Sequence, residues 1–217
     1  MLFYRFSSSL DGGFLESNSI SSTEGSYFSE LLQENDAVIV CSTALLENPT
    51  LVTAEPGAKQ PLRIVVTSTL QLPPDASVFD TSLAPTLVIA SEEAVLSDSG
   101  SSYKGNSGQT MESKLQERGV EVVGIQELNL DSVLEICYAR GFCSVLVDGR
   151  GHGSSLAKQA LEEKVVQKLV VDVSPKLCGH SKAGANFMLD KDFETLERVS
   201  SRMCGGNVII QGYFQKQ

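Results

Sequence analysis

The amino-acid sequence predicts an α/β fold, and two observations carry that prediction. Short runs rich in Val, Ile and aromatic residues recur along the chain, separated by stretches whose apolar residues fall at helical spacing. In Val38-Ile39-Val40, Ile64-Val65-Val66 and Val145-Leu146-Val147 the apolar residues are continuous rather than alternating, which suits strands covered on both faces. Composition agrees. An apolar fraction of 41% and a charged fraction of 20% describe a globular chain, and 217 residues can bury one sizeable core. One domain over residues 1–217 is therefore expected.

The elements follow in order. Leu2 to Ser8 is the first strand, on which alternation sets Arg5 and Ser7 opposite Tyr4 and Phe6. Ser9-Leu10-Asp11-Gly12-Gly13 closes it with turn chemistry. Tyr27, Phe28, Leu31 and Leu32 place a helix over about 26–34, and strands are expected at Ala37–Ser42, Arg63–Ser68, Thr86–Ala90 and Val120–Ile125. Residues 97–110, SDSGSSYKGNSGQT, are poor in apolar groups and are expected to form a flexible loop. Val133, Leu134, Cys137 and Tyr138 after Asp131 predict a helix over 129–139. Strands at Phe142–Val147 and Val166–Val173 then bracket a helix over 154–164, whose Leu156, Ala157, Ala160 and Leu161 form one stripe. That is a βαβ unit. Asn207–Phe214 is the last of about eight strands.

Charge and spacing exclude several functions. A net charge of −10 opposes a phosphate backbone, so no nucleic-acid partner is expected. No apolar run approaches the roughly 20 residues of a bilayer span, so no membrane partner is expected either. Five cysteines without a C-x-x-C point to a reducing compartment and no disulfide framework. With two histidines and no HExxH, no metal site is expected, and no G-x-S-x-G is present.

Three segments are candidates for binding chemistry, each with a plainer reading beside it. The loop Gly149-Arg150-Gly151-His152-Gly153-Ser154 joins a strand end to a helix start, as a phosphate cradle or as a simple tight turn. Thr43, Glu47 and Asn48 lie just beyond a strand end, where α/β proteins place ligands, although a helical turn stopped by Pro49 explains them equally. Arg5 is either a partner for an anion or a surface cation.

Taken in order, several segments resemble one family. They are Ser9-Leu10-Asp11-Gly12, Asp36 to Val40 leading to Thr43 and Asn48-Pro49-Thr50-Leu51, Pro61 to Val66, Val145 to Gly149, Val165 to Leu169, and Ser174 to Leu177 with Gly179. The chain resembles the reductase domain of the riboflavin-biosynthesis deaminase-reductase proteins, nearly end to end.

The resemblance implies a dihydrofolate-reductase-like three-layer fold with a mixed, mainly parallel central sheet. It also implies that NADPH reduces a phosphorylated aminopyrimidine, 5-amino-6-(5-phosphoribosylamino)uracil, to its ribityl product. By the same resemblance Arg5, Glu47 and Asp148 are the catalytic positions. Thr43, Asp148, Gly149, Arg150, Gly151, Gly153 and Ser154 would hold the cofactor, and Arg5 and Asn48 the substrate, with Arg63 or Lys59 as the further cation supplied from another loop. A homodimer is implied, with Val208-Ile209-Ile210 and Tyr213-Phe214 supplying apolar area. Plant members carry degenerate copies attached to a deaminase, which implies a deaminase domain upstream and the plastid stroma.

The chain departs from the family pattern at informative places. Arg5, Glu47 and Asp148 stand where the family has Lys, Asp and Glu, and Arg150 replaces the second glycine of a pair. Ile20 to Gln33 holds none of the arginines expected to grip the substrate phosphate. Two functions follow: NADPH-dependent reduction, or a catalytically degenerate domain that stabilises or dimerises an attached pyrimidine deaminase.

Overall fold

The structure, a computed structural model, describes residues 1–13, 15, 25–100, 109–150, 155–178 and 195–215. In chain order the strands are β1 (Leu2–Ser9), β2 (Ala37–Cys41), β3 (Leu62–Thr67), β4 (Thr86–Ser91), β5 (Glu121–Ile125), β6 (Val145–Asp148), β7 (Lys168–Ser174), β8 (Glu197–Cys204) and β9 (Asn207–Tyr213). The helices are α1 (Gly25–Glu34), α2 (Glu92–Gly100), α3 (Met111–Glu117), α4 (Leu130–Ala139) and α5 (Ser155–Glu162).

All nine strands pair into one sheet in the order β5-β4-β3-β2-β6-β1-β7-β9-β8. From β5 to β7 every neighbouring pair is parallel, and β9 and β8 close the far side with antiparallel pairs. The chain builds outward from β2 to β5, then returns to insert β6 between β2 and β1. After α5 it adds β7 on the other side of β1. The order thus reverses beside β1 and β6, and a crevice beyond the carboxyl ends of the strands at such a reversal is where open α/β sheets place their ligands.

Strand alternation divides the apolar residues between two cores. Val38 and Val40 of β2 face one core with Tyr27, Leu31 and Leu32 of α1 and Leu115 of α3. Ala37 and Ile39 face the other, with Leu130, Val133 and Cys137 of α4 and Leu156, Ala157 and Ala160 of α5. The continuous apolar runs are explained by this double burial. Side-chain caps start two helices: Thr110 accepts from Ser113 N at α3, and Asn129 accepts from Ser132 N at α4.

Three expectations are corrected. The sheet has nine strands, because β8 exposes all but its last residue and so carries no apolar pattern to find. Of the loop expected at 97–110, residues 97–100 belong to α2, while 101–108 lie outside the described residues. Asp98 explains the order there, since its carboxylate accepts from Met111 N at 3.2 Å and Glu112 N at 2.9 Å and so joins α2 to α3. The helix expected to reach 164 ends at Glu162. None of the five cysteines is in a disulfide, and no helix among the described residues is long and apolar enough to cross a membrane.

At the amino-terminal edge of the sheet, opposite the crevice, Asp36 ties two turns together. Its carboxylate accepts from Cys143 N at 2.8 Å and Ser144 N at 3.0 Å, and pairs with Lys59. The Lys59 ammonium, followed by the Cys143 amide, holds the Asp36 carboxyl down at about 2 from an ordinary 3.8. A depressed folded-state value stabilises the fold above the ordinary value and loses that contribution as the pH falls towards about 2. Urea denaturation is therefore expected to show a stability gap between wild type and Asp36→Asn that is constant above pH 4 and closes between pH 4 and pH 2. A gap independent of pH over that interval contradicts the assignment.

Candidate functional site

The register of three parallel strands brings the charged residues of the crevice together. Arg5 on β1 lies opposite Asp148 on β6, and Ser7, one side-chain repeat further, lies opposite Asp172 on β7. Alternation turns all of these to the face covered by α1. Arg5 Nη1 lies 3.4 Å from Asp148 Oδ1, and Nη2 lies 3.4 Å from Asp172 Oδ2. Arg150 follows the strand and donates from Nε to Asp148 Oδ2 at 2.6 Å and from its backbone N to Oδ1 at 3.3 Å. Phe28 of α1 packs against both cations, with the Arg5 and Arg150 guanidinium carbons 5.0 and 4.9 Å from its ring centre.

Two cations and two carboxylates make this cluster neutral, and they are nearly removed from solvent. Arg5, Asp148 and Asp172 are 3%, 0% and 5% exposed. Buried charges persist only when paired, and Asn207 Nδ2 completes the pairing by donating to Asp172 Oδ1 at 2.9 Å. Two donors are left over, the Ser7 hydroxyl and one Arg150 nitrogen. Arg150 Nη2 is buried and has no hydrogen-bond partner among the described residues.

Gly149 is required by the contact between β6 and β1. Its amide donates to Arg5 O at 2.7 Å, and a Cβ there would lie 2.6 Å from Tyr4 Oη and 3.0 Å from Arg5 O. Burial, reinforced by the Asp148 charge, raises the Tyr4 hydroxyl far above its ordinary value, so this contact stays with a neutral phenol.

The other predicted residues separate from the cluster. Arg63 lies apart from the cluster: it is fully buried, both of its Nη atoms donate to carbonyls, and its Nε has no partner among the described residues. It donates to Thr50 O at 3.1 Å, Ser77 O at 3.5 Å, Asp80 O at 2.8 Å and Ala84 O. Burial brings it down to about 10. The carbonyl of Thr50 precedes Leu51, a buried residue with φ of 52°, so Arg63 braces a backbone position that L-residues rarely adopt.

Thr43 and Glu47 lie on a 3₁₀ helix, Ser42–Glu47, at the carboxyl end of β2, and Asn48 caps it in the left-handed region. Asn48 Oδ1 accepts from Ser77 N at 2.7 Å. Gly151, Gly153 and Ser154 lie outside the described residues.

Sequence reasoning missed Phe28 as a platform and Asp172 as the second carboxylate. For Asp172 a signal existed. Lys168, Val170, Asp172 and Ser174 are the buried set of β7, so a charge stood in the phase of the core.

Beyond the ends of β3 and β4 lies a polar cavity of about 490 Å³, lined by Ser68, Thr69, Gln71, Ser91, Glu93 and Asp98 among others. Among the described residues no group of His, Cys, Asp or Glu could hold a metal ion.

Residues 1–210 match the family described as the RibD C-terminal domain. The chain belongs to that family. It is 30% identical over 220 residues to the riboflavin biosynthesis protein PYRD, chloroplastic, of Arabidopsis thaliana, covering 97% of this chain and 48% of that protein. The corresponding maize protein is 32% identical over 197 residues, 87% of this chain and 44% of that one. The chain therefore spans about half the length of these curated relatives.

Among solved structures, the deaminase/5-amino-6-(5-phosphoribosylamino)uracil reductase of Thermotoga maritima superposes with a TM-score of 0.71 at 20% identity, over 99% of this chain and 56% of that one. Dihydrofolate reductase from Enterococcus faecalis, complexed with NADP(H), superposes with a TM-score of 0.50 at 11% identity, over 100% of this chain and 97% of that one. At such identities the likeness shows the fold, which is that of dihydrofolate reductase. The RibD-type domain thus carries the expected three-layer architecture with a mainly parallel sheet.

Two substitutions test these assignments by urea denaturation. Arg63→Met leaves several buried carbonyls without a donor and is expected to lower stability by about 3 kcal/mol. Gly149→Ala drives a methyl group into Tyr4 and the β1 backbone, and is expected to cost about 1–3 kcal/mol. A neutral effect of either contradicts the contact described.

Proposed function

We propose that this chain is a riboflavin-biosynthesis reductase-type domain that binds NADPH but does not reduce the phosphorylated aminopyrimidine, and that it serves as the stabilising, dimerising half of a longer deaminase-containing protein. One observation supports this reading above the others. Every arginine that the sequence offered to substrate is already engaged inside the chain: Arg5 by Asp148 and Asp172, and Arg63 by backbone carbonyls. A dianionic phosphate group needs charge-assisted partners of that kind. The plant relatives support the setting, since their names place them in the chloroplast and the chain spans about half their length. We extend both features to this protein as part of the proposal: a plastid stroma location and a deaminase domain elsewhere in the polypeptide.

The retained cofactor rests on the chemistry of the crevice. The spare N–H of Arg150 suits an anionic dinucleotide, and the cavity beyond β3 and β4 has room for part of one. Thr43 is exposed at the adjoining strand end. NADPH would supply a hydride to a substrate held beside it, and on this reading it is bound without that transfer. This chain would contribute position and exclusion of water, through the backbone at Gly149 and the closed cluster behind it.

A second reading has its own support. Arg5 still faces Asp148 across β1 and β6 at the carboxyl edge, where the resemblance places the catalytic pair with Glu47 nearby in the fold. On that reading the domain carries out NADPH-dependent reduction of 5-amino-6-(5-phosphoribosylamino)uracil, with Asn48 on the substrate.

Calorimetry at low salt is expected to show weak NADPH binding that fades as salt is raised. A continuous absorbance assay with that substrate is expected to show no NADPH oxidation above the blank. Turnover removes the proposal and establishes the second reading. Sedimentation is expected at twice the 23.3 kDa chain mass, and a monomer would contradict the dimerising role.

A further inference from the structure

We propose that the cavity beyond β3 and β4 selects a ribose with a free 2′,3′-diol, so that the chain binds NADH in preference to NADPH, whose binding stays weak. The inference rests on the cofactor reading above and names the dinucleotide that the crevice favours. Topology supplies the reach. Three strand spacings separate the β4–β3 pair from the β6–β1 pair, about 14 Å at the usual distance between neighbouring strands, and both pairs end at the same edge of the sheet. A ligand with a nucleoside at each end and a linker between suits that layout. With the hydride-donating ring beside Arg5 and Asp148, the other ribose falls at the cavity.

The lining of the cavity, about 490 Å³ in volume, favours hydroxyl groups over phosphate. Ser68, Thr69 and Gln71 follow β3, and Glu93 and Asp98 come from α2. Among the described residues no Lys, Arg or His lines it. The start of α2, directly after β4, is where a phosphate would ordinarily be drawn by the helix dipole. Here the chain's own groups fill that place. Ser91 Oγ accepts from Ala94 N at 3.2 Å, and Glu92 and Glu93 occupy the first turn. Asp98 is fixed by the amides of Met111 and Glu112, at 3.2 and 2.9 Å.

A phosphate monoester on the ribose would bring its negative charge against Glu93 and Asp98 with no cation of the lining to answer it. A free diol instead donates hydrogen bonds to a carboxylate. Nucleotide-binding α/β proteins make the same distinction, with an acidic side chain for the diol and an arginine for the phosphate.

The test is titration of the full chain at low salt with NADH and NADPH side by side, by calorimetry. NADH is expected to bind at least tenfold more tightly, with the ratio shrinking as salt is raised. Glu93 is exposed, so its replacement leaves the core intact. Glu93→Lys is expected to move the two ligands in opposite directions, NADPH several-fold tighter and NADH several-fold weaker. A variant that merely folds less well weakens both. Glu135→Lys makes the same change of net charge on α4, which packs on the other face of the sheet from α2, and is expected to leave the ratio unchanged.

If Glu93→Lys does not fold, as its melting temperature reports, Glu93→Gln carries the test, with the ratio narrowing several-fold. Equal affinities, or tighter binding of NADPH, overturn the proposal and leave the cofactor reading standing. Binding of neither dinucleotide removes both. A preference for NADH that the Glu93 and Glu135 variants alter alike, or that neither alters, also overturns the proposal. A preference for NADH lost at Glu93 alone sustains it.

Discussion

A guanidinium in the middle of a parallel sheet must be answered by negative charge, and much of this molecule is arranged around that requirement. Arg5 lies on β1, with β6 on one side and β7 on the other, and each neighbour contributes a carboxylate. Leaving either one out would bury an uncompensated charge, a cost that commonly exceeds that of losing an apolar contact. The pairing therefore specifies register as well as charge. Sliding β7 by one residue along β1 would turn Asp172 to the opposite face and present Val171 or Val173 to the cation.

The same requirement explains why the crevice looks more like a structural joint than an open binding site. In a site kept ready for a phosphorylated substrate, cations face solvent or a cavity. Here Arg5 and Arg63 face inward, one towards carboxylates and the other towards carbonyls. Replacing lysine by arginine on β1 gives a wider fork that can reach both flanking carboxylates. Replacing a glycine by Arg150 adds a second cation to the first carboxylate. These changes are mutually consistent: each added positive group has a negative partner within the cluster.

Most of the architecture could be read from the sequence because most of it is buried on both faces. The runs at 38–40, 64–66 and 145–147 are core on either side, and composition alone betrays them. β8 escaped because ERVSSRMC lies at the sheet edge, with an exposed Arg202 over the Tyr27 ring and every residue but the last open to solvent. The site was half legible. Motif order located Arg5, Asp148 and Arg150 near one another, but a motif carries no burial. Nothing local to Arg63 distinguishes a cation that meets a ligand from one that braces Thr50 and Asp80. Phe28 was legible as a helix residue only, since its contact with two guanidinium groups depends on how α1 lies over the sheet.

The central position of β1 has a consequence for how the molecule assembles. Arg5 is separated from Asp148 by 143 positions in the chain and from Asp172 by 167. Its strand therefore cannot gain its first neighbour until the chain has reached Asp148 or its second until Ser174, while β2, β3, β4 and β5 pair in succession over shorter spans. Loop-closure entropy makes such distant pairings late and slow. During synthesis on a ribosome, a strand bearing an unanswered cation would wait beside a half-built sheet, and that waiting state, with its unpaired edge, is where a chaperone would find the most to hold.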